Sequence, residues 1–223
     1  MQYAEGEDSS PKLDEKDKKF IQRAVGKFSF IARAIDGTML TALSGIAVDQ
    51  AEPTEETMRR MKQFLDYAAS QEEPVLTYRA SDMILVGHSD AGYLNERRAR
   101  SRVGGHWFCS EDRDIPNDNG AVLNIAQVIK AVMSSAAEAE LGGLYINARE
   151  AVYLRKILEA MGHPQPRTPL QTDNSTAEGV INKNVQPKRT KAMDMRFHWL
   201  RDRKAQNQFR IYWQQGVKNK ADY

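Results

Sequence analysis

Thiol chemistry is nearly absent from this sequence: Cys109 is its single cysteine. An internal disulfide and a cysteine-built zinc site are therefore excluded, and the composition suits a reducing compartment. No run of about 18 apolar residues occurs, so no segment is long enough to cross a bilayer as a helix. Residues 1–19 are polar and charged and contain no apolar stretch of the kind a secretory signal needs. Excess charge is missing too, since 32 Lys and Arg stand against 30 Asp and Glu, a net +2. Any attraction to a polyanion must come from where the basic residues sit rather than from their total. No P-loop, His-Glu-x-x-His or Gly-x-Ser-x-Gly pattern is present, which removes the commonest signatures of nucleotide hydrolysis, zinc proteolysis and serine hydrolysis. What remains, 41% hydrophobic and 28% charged residues over 223 positions, is the composition of a soluble intracellular protein with one large domain or a smaller one and an appendage.

Along the chain, residues 1–13 are polar and acidic and are expected to be flexible. From Asp14 to Ile35, Phe20, Ala24, Phe28, Ile31 and Ile35 recur at helical spacing. Gly37 suits a stop, and Thr38 a cap for a short second helix through Leu43 and Ile46. Pro53-Thr54 opens a third helix with Met58, Met61, Leu65 and Ala68 on one face. The pattern changes after Pro74. Residues 75–78 and 83–90 read as strands, followed by an arginine-rich loop (Arg97, Arg98, Arg100, Arg102) and a strand over 103–110. Residues 121–132 fit helix or strand, with strand preferred. Ser134-Ser135 begins a long helix to about Met161, stopped by Gly162. A short strand at 169–172, a helix from Asp173-Asn174 toward Ile181, a helix from Lys191 to about Lys204 and a strand at 209–213 complete the reading. Strands in a run, then alternation of helix and strand, describe an α/β (mixed α+β) sheet covered by helices.

Four acids stand at element ends in this pattern. Asp90 ends an apolar strand, sharing a face with Ile84, Val86 and His88. Glu140 lies in the first turns of the long helix, Asp173 closes the strand before it, and Asp222 follows the loop 214–220. An acid at a strand end is more often a solvated terminus than a ligand, and spacing alone does not bring four of them together. If they do meet, mutual repulsion favours protonation unless cations fill the site. Hard carboxylate oxygens are the ligands Mg²⁺ takes, and a pair of such ions suits phosphodiester hydrolysis.

The local strings add what spacing lacks. His88-Ser89-Asp90-Ala91-Gly92-Tyr93, Ser134-Ser135-Ala136-Ala137-Glu138-Ala139-Glu140-Leu141, Thr172-Asp173-Asn174-Ser175 and Asn219-Lys220-Ala221-Asp222-Tyr223 follow one another in that order. They resemble the four motifs of the ribonuclease H domain in Ty1/copia retrotransposon polyproteins. The segment Lys188 to His198 resembles that family's basic stretch before the last strand. Lys62 to Ala69 and Leu76 to Arg79 resemble the region joining the polymerase domain to ribonuclease H. The resemblance spans residues 14–223. It implies a ribonuclease H-like fold with a five-stranded mixed sheet (81–223), preceded by a small helical connection unit (14–80). It also implies hydrolysis of the RNA strand of RNA/DNA hybrids during reverse transcription, with Asp90, Glu140, Asp173 and Asp222 as catalytic metal ligands. Two Mg²⁺ ions are expected, Mn²⁺ being able to substitute, and no small-molecule cofactor. The expected partners are the RNA/DNA hybrid and a polymerase domain upstream in the same polyprotein, since no Tyr/Phe-x-Asp-Asp motif occurs here. The expected location is a cytoplasmic virus-like particle or the nucleus, with no membrane partner. The family's helix after the fourth acid is missing from this chain, so the alternative is a truncated or decayed retroelement fragment that binds nucleic acid without cutting it.

Glu138 and Glu140 point about 200° apart on a helix, so only one can face the sheet. The family's Glu-Leu-x-x-Leu pattern favours Glu140. Between Lys188 and Lys204, Lys188, Arg189, Lys191, Arg196, Arg201, Arg203 and Lys204 outnumber Asp194 and Asp202, with Phe197 and Trp199 interleaved. Lys188, Arg189, Lys191 and Arg196, with Arg98, are expected to contact hybrid backbone. Asn174 and Ser135 are the expected readers of 2′-hydroxyls, which only the RNA strand carries. His198, flanked by Phe197 and Trp199, reads as structural.

Overall fold

The computed structural model describes residues 8–71, 73–96, 99–182 and 195–222. The described chain forms two compact units, residues 8–76 and Thr77–Asp222.

In the first unit α1 (Glu15–Ala34) starts at Asp14, whose side chain accepts the Asp17 N–H at 2.8 Å. Its buried residues are Ile21, Ala24, Val25 and Ala32. The apolar stripe is thus turned by about one residue from the one expected, and Phe20 and Ile35 face solvent. Asp36, not Thr38, caps the following turn by accepting from Thr38 N. Helix α2 (Leu40–Asp49) buries Leu43 and Ile46. Thr54 and Thr57 form a reciprocal capping box that starts α3 (Glu55–Ser70), and Phe64 meets Phe28 edge to face at 5.1 Å. Residues 8–13 run beside that cap, Leu13 donating to Pro53 O and Pro11 O accepting from Glu55 N. Residues 1–7 of the segment expected to be flexible lie outside the described residues.

The second unit is built on five strands in the order β3-β2-β1-β4-β5. Strands β1 (Ile84–Glu96), β2 (Arg100–Ser110) and β3 (Ala121–Ile129) form an antiparallel meander. Strand β4 (Thr168–Thr172) pairs parallel with β1, and β5 (Phe209–Trp213) parallel with β4. Residues 75–78 do not form the expected strand. Asn119 supplies side-chain partners to both backbone groups of Arg79, at 2.7 and 2.9 Å, where a ladder would have supplied main chain. The arginine-rich loop is shorter than expected because β1 and β2 continue into it, with Glu96 opposite Arg100.

Helix α4 (Ala136–Ala160) lies across one face. Ser135 caps its start, and Gly162 at φ +91° ends it, where His163 N returns to Leu158 O. Its Leu144, Ala148 and Ala151 pack with Leu85, Val103, Trp107 and Leu170 of the sheet. Helices α5 (Ser175–Asn182) and α6 (Met195–Ala205) add Ile181, Phe197 and Leu200 to the same core. Residues 191–194 of the helix expected from Lys191 lie outside the described residues. Arg155, buried near the end of α4, donates to Gln165 O, Pro166 O and Thr168 Oγ1, tying the helix to the entry of β4. By strand alternation Val86, His88, His106 and Phe108 occupy the opposite face. There the His88 and Phe108 rings meet at 5.3 Å and His106 and Phe108 at 5.6 Å. Among the described residues no helix is long and apolar enough to cross a membrane.

Candidate active site

The parallel pairing of β1 with β4 covers Gly87↔Leu170 and His88↔Gln171. Beyond that point both strands end their shared ladder, and the carboxyl ends of parallel strands are where open α/β sheets place ligands. Asp90 is two residues past the last β1 position paired with β4, and Asp173 directly follows β4. Asp173 is fixed by its main chain: its carbonyl accepts the Trp213 indole N–H at 2.8 Å, and the flanking Thr172 O accepts from Gln214 N at 3.1 Å.

The third acid comes from α4. Ser134 N and Oγ both donate to Glu138, and Ser135 Oγ accepts the Glu138 N–H at 3.2 Å. Glu138 is thereby drawn back over the helix start. Glu140 faces the sheet and is buried. Gly143 makes the approach possible, because a Cβ there would lie 3.1 Å from Ala91 Cβ and 3.3 Å from Asp90 O. Asn147, fully buried one turn on, donates to Ser89 Oγ and Gly104 O and accepts from Trp107 Nε1. Sequence reading passed over this residue; its signal was an amide inside an apolar helical stripe.

Asp90, Glu140 and Asp173 each offer a ligand oxygen, and these atoms all lie within 4.8 Å of one another. Burial, then the negative charges of Asp173 and Asp222, push the Asp90 carboxyl up to about 7. Glu140 rises to about 8 through burial and the charges of Asp90 and Asp173, partly offset by bonds from Ala91 N–H and the Thr172 hydroxyl. Asp173 is also raised, chiefly by burial. Glu140 Oε2 is buried without a hydrogen-bond partner. A buried oxygen left unpaired among repelling carboxylates is costly. A hard divalent cation removes both penalties at once, so the donor set fits such an ion.

Asp222 does not share the 4.8 Å cluster. It stands beside it, exposed, close enough to raise both Asp90 and Asp173. It follows a single 3₁₀ turn, Gly216–Lys218. Ser135 and Asn174 both act as helix caps, Asn174 Oδ1 accepting from Ala177 N at 3.0 Å. Arg196, the second residue of α6, is half-buried. Arg102 of the arginine-rich stretch is buried and bonded to Glu96. Lys188, Arg189, Lys191 and Arg98 lie outside the described residues. His198 is exposed on α6, with its ring 5.2 Å from that of Phe197.

No protein-family model matches the chain. In sequence it is 26% identical over 150 residues, 67% of its length, to the retrovirus-related Pol polyprotein from transposon TNT 1-94 of Nicotiana tabacum. The match covers 11% of that polyprotein, so the chain corresponds to a small part of it. In structure it is similar to the foamy viral protease-reverse transcriptase in complex with RNA/DNA hybrid, with a TM-score of 0.53 at 11% identity, covering 97% of this chain and 26% of that one. A ribonuclease H1 isolated from compost gives a TM-score of 0.46 at 13% identity over 63% of this chain and 91% of that one. The N-terminal RNase H domain of a Mycobacterium tuberculosis protein gives 0.40 at 16%, over 61% and 86%. The five-stranded mixed sheet covered by helices is the architecture expected from the motif resemblance. In this sheet the three clustered acids come from the central strand, the adjacent parallel strand and the helix that crosses them. The tobacco polyprotein agrees with the retrotransposon resemblance that the four motifs carry.

Proposed function

We propose that the chain is the ribonuclease H region of a copia-type reverse transcriptase, hydrolysing the RNA strand of RNA/DNA hybrids. The observation that carries this reading is the convergence of Asp90, Glu140 and Asp173, three acids distant in sequence, on one 4.8 Å cluster. Asp90, Glu140, Asp173 and Asp222 are assigned as the residues that hold two Mg²⁺ ions. Bound there, Mg²⁺ supplies Lewis-acid activation of the attacking water and neutralises charge on the leaving oxygen. The chain's own part is to bring the carboxyl groups together beside a phosphodiester, where bound cations would hold them ionised. Asn174 uses Oδ1 to cap α5, which leaves its amide N–H₂ to donate to a 2′-hydroxyl; Ser135 uses its lone pair for α4 and keeps its O–H for the same purpose. Arg196, with Lys188, Arg189, Lys191 and Arg98, is assigned to hybrid backbone contact. An upstream polymerase domain of the same polyprotein is the proposed partner.

Asp173→Asn tests the assignment, because it removes a charge while keeping shape. Hybrid cleavage is expected to be lost while hybrid binding in a gel-shift assay stays within about threefold of the parent. Normal cutting by this variant would show that the site is wrongly assigned.

A further inference from the structure

Asp222 is the exposed member of the acid set, yet the three residues before it are pinned. Asn219 is buried, and its Nδ2 donates to Ser89 O at 3.0 Å while its Oδ1 accepts from Ala221 N at 3.1 Å. The Lys220 N–H donates to His88 Nδ1 at 3.1 Å. His88 is 2% exposed and Ala221 1%. His88 and Ser89 immediately precede Asp90, so one stretch of β1 carries the first acid and grips the segment carrying the fourth. We propose that His88 is a positioning residue, whose Nδ1 holds the 219–222 segment so that Asp222 stands beside Asp90 and Asp173. The proposal rests on reading Asp222 as a ligand of the proposed nuclease site.

The need for such a grip follows from charge. Asp222 raises both Asp90 and Asp173, so the three repel one another. An exposed acid on a flexible segment escapes that repulsion by swinging into water. Two contacts to adjacent residues of β1, from Asn219 to Ser89 and from Lys220 to His88, restrict that escape. They do so from the same strand that sets the position of Asp90, so the separation of the two acids is fixed locally rather than through the whole fold.

The chemistry of the ring separates this role from packing. An asparagine places its Oδ1 near the position of histidine Nδ1, whereas a glutamine places its amide near Nε2. His88→Asn therefore retains an acceptor for Lys220 N–H, and His88→Gln does not. Both remove the ring that meets Phe108. A second pair of variants leaves the sheet untouched. Lys220→Pro deletes the donor, and Asn219, at φ −83° and ψ 109°, already has the extended backbone that a residue before proline requires. Lys220→Ala removes the exposed ion pair with Asp118 and keeps the donor.

Two readouts are measured on the full chain: amide hydrogen exchange over 219–222 without metal, and Mg²⁺ affinity by calorimetry. His88→Gln and Lys220→Pro are expected to speed exchange at Ala221 and Asp222 and to weaken Mg²⁺ binding by about two- to tenfold, the worth of one neutral hydrogen bond. His88→Asn and Lys220→Ala are expected to stay within twofold of the parent in both. Equal impairment in His88→Asn and His88→Gln, or parental exchange in Lys220→Pro, would overturn the proposal and leave His88 as ring packing. Should the parent chain bind no Mg²⁺, the nuclease reading fails instead, and the exchange data still decide whether His88 holds the segment.

Discussion

Two carboxyls that stay protonated near neutrality make the site a liability to the fold until a cation arrives. Asp90 is raised to about 7 and Glu140 to about 8, so the folded state binds more protons than the unfolded one across the window from about 4 to 8. Their stabilising share is complete below the unfolded values and is lost as pH rises through the folded ones. His88, lowered to about 4 by burial, has the opposite sign and gains stability from about 4 up to 6.5, so the acids act alone above 6.5. Asp90→Asn is therefore expected to raise the metal-free melting temperature more at pH 8 than at pH 5, and Mg²⁺ to abolish that advantage. A pH-independent difference in calorimetric scans would contradict this. Glu138→Gln, whose carboxylate only caps α4, is expected to keep at least half the parental cleavage rate, while Glu140→Gln loses it in the same assay. The sequence left this choice to a motif, since the two side chains differ only in which way the helix turns them. The geometry of α4 explains it: Ser134 takes Glu138, and the buried face takes Glu140.

At the scale of elements, close approach decides where α4 can lie. Gly143 and Gly105 permit it directly, and Gly87 through the Trp107 ring. A Cβ on Gly87 would meet the Trp107 ring at 2.3 Å, and that ring is fully buried and bonded to Asn147. Gly87→Ala is expected to destabilise the fold by about 1–3 kcal/mol, as overpacking does, and to lower cleavage through displacement of α4, as read by denaturant titration beside the hybrid assay. Most elements were readable in the residues because each carries its own punctuation: Asp14, Thr54 and Ser135 as caps, Gly162 as a stop, and apolar runs for β1 and β2. The errors share one cause. Residues 75–78 have strand composition but form no ladder, and Arg79 beside them takes both backbone partners from the Asn119 side chain, forty residues away, which no local pattern reports. The α1 stripe was misplaced by about a residue because Phe20 and Ile21 are both apolar, and only packing chooses between them. His88 and Lys220, 132 residues apart, are invisible to spacing for the same reason.

For the whole molecule, near-neutral composition and a nucleic-acid role are compatible only if basic residues are concentrated. Seven Lys and Arg between Lys188 and Lys204 provide that concentration in the sequence. Charge reversal at Lys188, Arg189 and Lys191 together is expected to weaken hybrid binding at least tenfold. It is also expected to flatten the salt dependence, by roughly 0.7–0.9 in log–log slope for each phosphate no longer neutralised. Affinities of parent and variant that are equal across a salt series would assign the segment to solvent. The central claim is cleavage itself. It is tested most directly by incubating the chain with a labelled RNA/DNA hybrid and Mg²⁺, beside single-stranded RNA and double-stranded DNA. Cutting of the hybrid alone, abolished by chelator and restored by added Mg²⁺, is the expected result. Binding of the hybrid with no cutting at any Mg²⁺ concentration, or equal cutting of all three substrates, would contradict it.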